Sequence, residues 1–288
     1  MIFKKSIFPI LALALLFTSC NKDEETTTAE ERQAAEQASK DFMLAENIFE
    51  NVFKMVDTEA KKQGDLNGFQ SPEVVDDRNN CPGVGFEITP QTIFPATLTL
   101  DFDTGCTTDN GVVAAGKIVA IFNGLLLSEG TSYTLSFENF IYANNTVNGS
   151  YILSNDGMNA SGQPTFSAVI DGQITKADGT SFTYQSTNVA SQTEGNDTNF
   201  FTDGLAGIFD DVWSSEREGT IVRGDGVTLS VTTPEAIRNP LTCRWPVSGT
   251  YALELSDPAL TGSIDFGSGD CDNKALLTVG DFELEIEL

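Results

Sequence analysis

From Cys81 onward the chain alternates apolar and polar residues, and this period of two restricts the fold more than any other feature. Thr97-Leu98-Thr99-Leu100-Asp101-Phe102 carries it, and Ile118-Val119-Ala120-Ile121-Phe122 carries it less cleanly. Tyr133-Thr134-Leu135-Ser136-Phe137-Glu138-Asn139-Phe140 reads the same way. Successive side chains of a strand point to opposite faces, so such text describes strands with one buried and one wet face. Turn signals punctuate the runs. Asn144-Asn145 leads back through Val147 to Leu153, Asp178-Gly179 follows Thr165 to Thr175, and Gly224-Asp225-Gly226 follows Trp213 to Val222. Trp245 to Leu255, Gly262 to Phe266, Ala275 to Val279 and Phe282 to Leu288 complete the series. Gly83-Val84-Gly85 reads as a turn, and Gln185 to Asp203, with little pattern, reads as a mobile loop. Strands at close spacing with short connections predict an antiparallel meander.

One helix precedes the strands. Thr28 and Glu31 have the spacing of a capping box, helix-favouring residues run from Ala29 to about Gln63, and Lys61, Lys62 and Gly64 close the helix. Phe42, Ala45, Phe49, Val52 and Val56 recur at three-four spacing, while Glu36–Lys40, Glu50–Lys54 and Asp57–Lys61 are stabilising pairs. The turns up to Ala38 lack large apolar residues and are expected to project from the body. The predicted class is therefore mainly β: an antiparallel meander forming a sandwich or half-barrel, with one long N-terminal helix packed on it as a lid. A coiled-coil partner for that helix is the alternative reading of the stripe.

Charge and composition exclude several functions. The chain has 16 Lys+Arg against 42 Asp+Glu, a net charge of −26. Such a surface repels nucleic-acid phosphates and anionic headgroups, so no nucleic-acid partner is expected. It contains no histidine, which removes His-based triads, His-ligated zinc and the commonest general base.

Five cysteines are present. Cys20 is read as a lipid attachment site, which leaves Cys81, Cys106, Cys243 and Cys271 for disulfides in an oxidising compartment. Of the three pairings, Cys81–Cys106 and Cys243–Cys271 are preferred, because a strand ending in Asp-Phe and a turn precedes the second cysteine of each pair. A metal site of four thiolates lacks the CxxC spacing it needs.

The N-terminus supplies the address. Lys4 and Lys5 precede an apolar run, Ile7 to Phe17, too short to span a bilayer, and Phe17-Thr18-Ser19-Cys20 follows. This resembles a bacterial lipobox, in which the cysteine is acylated, although Phe17 stands where an aliphatic residue is usual. Lys22-Asp23-Glu24-Glu25 resembles the export signal of Bacteroidota surface lipoproteins. The expected organisation is a signal peptide at 1–19, an acidic tether at 20–28, the helix at 29–64 and the β domain at 81–288. Loss of Lys4 and Lys5 with the signal takes the charge from −26 to −28. The resemblance implies an outer-membrane lipoprotein, held to the membrane by N-terminal lipid and facing the cell exterior. It brings no known activity. Helix plus meander also resembles, in outline, the half-barrel of LolA-like lipoprotein carriers, which implies a periplasm-facing lipid or lipoprotein carrier as the alternative.

Candidate chemistry is sparse, and no catalytic residue is assigned. Asp101, Asp103, Asp109 and Asn110 surround Cys106, and Asp265, Asp270, Asp272 and Asn273 surround Cys271. Both groups offer oxygens to Ca²⁺, but they lack EF-hand spacing, and Asp and Asn also favour turns. No other cofactor is expected. Asp210, Asp211, Glu216 and Glu218 near Trp213 could serve a glycan hydrolase if two carboxylates faced one another. Trp213 and Trp245 fit packing roles better than sugar platforms. The expected role is non-enzymatic, in binding or envelope structure, with the protein, glycan or lipid partner unidentified.

Overall fold

The computed structural model describes residues 27–62, 81–89, 92–198 and 209–288. The expected signal peptide, Cys20 and the expected tether as far as residue 26 lie outside the described residues. The helix α1 spans Ala29–Lys62, about 50 Å at 1.5 Å per residue. Its predicted cap is present: the Thr28 N–H donates to Glu31 Oε2 at 2.7 Å, and the Glu31 N–H donates to Thr28 Oγ1 at 3.2 Å. The three predicted pairs form, with Lys40–Glu36 and Lys54–Glu50 at 2.5 Å and Lys61–Asp57 at 2.6 Å.

Fourteen strands follow among the described residues. They are β1 (Gly83–Thr89), β2 (Thr92–Asp101), β3 (Cys106–Thr107), β4 (Val113–Phe122), β5 (Ser132–Tyr142), β6 (Asn145–Met158) and β7 (Pro164–Thr175). Then come β8 (Ser181–Glu194), β9 (Val212–Arg223), β10 (Thr228–Pro240), β11 (Ser248–Ser256), β12 (Ala259–Ser268), β13 (Lys274–Val279) and β14 (Phe282–Glu287). All pair antiparallel in sequence order, in one sheet whose ends β1 and β14 do not meet; β3 pairs only with β4. The fold is one continuous open sheet rather than two stacked layers.

α1 lies along the concave side of this sheet and reaches β2, β8 and β12. Phe42, Ala45, Ile48, Phe49, Val52 and Val56 are buried against an inner face that includes Leu98, Leu100, Ile118, Leu135, Tyr184, Ile221, Leu253 and Leu277. The strip of helix left to solvent is polar. Gln33, Lys40, Asn47, Lys54 and Lys61, seven residues apart, are exposed along it. A coiled-coil partner has no apolar seam to grip there.

Three readings of the sequence need correction. The first turns of α1 do not project: Ala35 and Ala38 are buried, and Thr27 Oγ1 donates to the Val279 carbonyl at 3.1 Å. Small side chains here allow close approach of helix and sheet, which a search for large apolar residues overlooks. Gln185 to Glu194 is not a loop but the body of β8, paired on both sides from β7 to β9. Its pattern is weak because polar residues, the buried Ser186 and the half-buried Asn188, stand where alternation would put apolar ones. Residues 199–203 of that reading lie outside the described residues. Gly83-Val84-Gly85 belongs to the edge strand β1, registered with Asp101, Leu100 and Thr99. An edge strand pairs on one side only, so glycine there loses little packing.

Local irregularities keep the alternation in phase. Asn139 takes φ 48°, at a register shift between β5 and its neighbours, and the slip turns Phe140 into the core. The β5–β6 turn has φ 49° at Ala143 and 65° at Asn144, the two positive values of a type I′ hairpin.

Candidate functional site

Both disulfides form as paired from the sequence, Cys81–Cys106 with Cα atoms 5.8 Å apart and Cys243–Cys271 at 5.7 Å. The first ties the start of β1 to β3. The second ties the β10–β11 connection to the β12–β13 turn.

The acids around these cysteines do not converge. Asp101 Oδ2 accepts from Lys117 Nζ at 2.6 Å and Asp101 Oδ1 accepts from the Asp103 N–H at 2.9 Å; the Lys117 bond comes first in holding the Asp101 carboxyl below its usual range. Asp265 accepts from the Gly267 N–H at 2.7 Å and Asp272 from the Lys274 N–H at 3.0 Å. These are turn-forming bonds of the kind Asp makes locally. Asp103, Asp109 and Asp270 are exposed, and among the described residues no three acidic or cysteine side chains gather as a metal-binding group. Asn110 reaches across to the helix, donating to Asn51 Oδ1 at 2.9 Å and to the Tyr142 hydroxyl at 2.8 Å.

The hydrolase candidates fall into two separate groups, Asp210 with Asp211 immediately before β9 and Glu216 with Glu218 further along it. Asp210 accepts from Thr198 Oγ1, while Asp211 accepts from Gln192 Nε2 at 2.7 Å; burial, then the neighbouring Asp210, raises the Asp211 carboxyl above its usual range. Glu216 lies five positions along from Asp211, about 16 Å of extended chain, beyond the separation glycosidase carboxylates use. Trp213 packs on Phe166 at 5.8 Å between centroids, and Arg244 lies 5.7 Å over Trp245. Neither ring is paired with a candidate acid.

Two ionic groups sit between helix and sheet, and neither was singled out from the sequence. Asp41 Oδ1 accepts from Gln37 Nε2 at 3.0 Å and Lys176 Nζ at 2.8 Å, with Arg223 Nε 3.8 Å from Oδ2. One turn further along, Glu46 meets Arg217 and the Tyr184 hydroxyl. Both acids stand in the apolar stripe, and in the one-dimensional text they look like members of an ordinary charged helix. Their partners come from the β7–β8 hairpin and from β9, so they clamp the helix to the middle of the sheet. Thr27 and Asn51 hold it nearer its ends.

On the outer face, β7 to β10 form an open depression of about 660 Å³. A twisted sheet is saddle-shaped, convex around its circumference and hollowed along its strands, which places a hollow at the waist. Two cross-strand rows line it. Asp171, Gln185, Thr220 and Ser230 stand in register, and Val169, Thr187, Glu218 and Thr232 form the next row. The lining offers carboxylates, hydroxyls and one amide, and no cation. Glu218 belongs to the acids read from the sequence; Asp171 gave no signal, since one acid in an alternating run resembles any outward strand residue.

The class defined is a single open antiparallel meander wound on one helix. Searches of protein-family models, curated proteins and solved structures find no match to the chain.

Proposed function

We propose that this chain is an exported protein anchored through lipid on Cys20, displayed on the outside of an outer membrane, and acting by binding or in envelope structure rather than by catalysis. One observation carries the non-enzymatic, non-carrier part. α1 occupies the concave face, with Phe42, Ile48, Phe49, Val52 and Val56 at 0–1% exposure. The gap beneath its first half, between Ala35, Ala38, Leu229 and Leu253, holds about 10 Å³. That is about the space of one water and far below an acyl chain. A carrier role would require the helix to leave. What the sheet offers a partner is its outer face, and two disulfides suit an oxidising compartment.

The anchor and the placement are tested together. Cells fed a labelled fatty acid should label the wild-type chain and not Cys20→Ala, and protease added to intact cells should cleave it. An unlabelled wild type overturns the anchor; cleavage only after lysis overturns outward display.

A further inference from the structure

We infer that the outer-face hollow of β7–β10 binds an extended polypeptide segment carrying two cationic side chains four residues apart. The inference rests on the binding role proposed above and specifies its partner.

Charge complementarity selects the occupant. Among the described residues, Arg32, Lys40, Lys54, Lys61, Lys62, Lys117, Lys176, Arg217, Arg223, Arg238 and Lys274 each stand against an acid, and Arg244 covers Trp245. These described cations are thus committed within the chain, and none of them stands against Asp171 or Glu218. These two carboxylates flank a hollow whose other polar groups are hydroxyls and one amide, with Val169 exposed among them, a mixture that suits the backbone and side chains of a peptide. No aromatic ring lines it, so a saccharide would lack the stacking face that such ligands favour.

Register sets the spacing. Asp171 pairs with Gln185, which pairs with Thr220, and Glu218 lies two residues from Thr220 on β9. Two strand spacings across and two residues along place the two Cα atoms about 12 Å apart. In an extended segment, residues i and i+4 share a face at about 13 Å. Lysines or arginines at those positions meet both carboxylates at once.

The test uses the full-length chain in detergent and a dye-labelled, acetylated heptapeptide with lysines at its second and sixth positions and threonines between. Fluorescence anisotropy should show saturable binding that weakens with salt. Asp171→Asn with Glu218→Gln should weaken it about tenfold, whereas Glu283→Gln with Glu287→Gln, an equal charge change on β14, should change it less than about twofold. A peptide with adjacent lysines should bind about tenfold more weakly. Equal losses in both double variants would mean diffuse charge and overturn the inference. A neutral oligosaccharide that binds the hollow and displaces the peptide, unaffected by the Asp171 and Glu218 changes, would replace it with glycan binding. No binding of any probe overturns this inference alone, since lipid labelling and protease access report on the proposed surface role separately.

Discussion

Asp41 places one buried carboxylate between Lys176 and Arg223, whose side chains keep 21% and 26% exposure against 3% for the acid. Replacing it by alanine strands both cations at the helix–sheet boundary. Because they keep some water contact, Asp41→Ala should cost about 2–3 kcal/mol, below the usual loss for a fully buried pair, read by urea unfolding. Asp211 works in the opposite sense. Its folded carboxyl is raised by burial and by Asp210, so ionisation is disfavoured in the folded state. The cost is present at neutral pH and disappears once pH falls below the ordinary aspartate value, where folded and unfolded forms both hold the proton. Asp211→Asn should therefore raise the melting temperature at pH 7 and leave it unchanged near pH 3. An equal rise at both pH values would show that charge is not the cause.

The seating of α1 on β6 and β7 shows how an element is positioned by what is missing opposite it. Gly149 and Gly172 face one another across these strands. A Cβ on Gly172 would lie 2.4 Å from Phe49 Cζ, and one on Gly149, at φ 115°, would lie 2.0 Å from the Asp171 carbonyl oxygen. Gly172 leaves the space that Phe49 fills, with Tyr184 6.0 Å and Phe137 6.1 Å from its ring, while Gly149 lets β6 and β7 approach closely. Gly172→Val should destabilise by about 1–3 kcal/mol through overpacking. Phe49→Leu, less bulky at the ring tip, should recover part of that loss when combined with it, which a double-mutant cycle in urea would measure. Additive losses would place the clash elsewhere.

Across the whole molecule, α1 and the fourteen strands share one core, so unfolding should be a single transition reported alike by secondary structure and by the tyrosines. Of the chain's five tyrosines, burial raises Tyr133, Tyr142, Tyr151 and Tyr184 above the ordinary phenol range. A raised folded value means that stability is full below the unfolded phenol value of about 10 and falls as pH rises past it. Phenolate absorbance from these four should therefore appear together with loss of β circular dichroism, and their ionisation in the folded protein at lower pH would contradict the packing. The disulfides close loops with sequence separations of 25 and 28 residues, each worth about 3 kcal/mol on the chain-entropy model, so reduction should lower stability by about 6 kcal/mol in all. Native mass spectrometry should find the chain with four hydrogens lost to disulfides and, apart from the proposed anchor, no lipid; a further bound lipid would favour the carrier.

The sequence by itself determined most of the strands, the helix and its cap, the disulfide partners and the meander, but not β1 or the body of β8. Each rests on short-range periodicity, turn residues or cysteine count. Thr28 with Glu31, Asn144 in its turn and the Leu98–Leu100 alternation all act over a few residues. Only the tertiary structure decided that the sheet stays open, that the helix fills its concave side from the first turn, and that Asp41 and Glu46 are interior groups. It also decided that Asp171 and Glu218 share a hollow. These depend on curvature accumulated over many strands and on register between residues more than a hundred positions apart, such as Asp41 and Lys176. Sheet twist and cross-strand pairing set those quantities, and no local pattern encodes them.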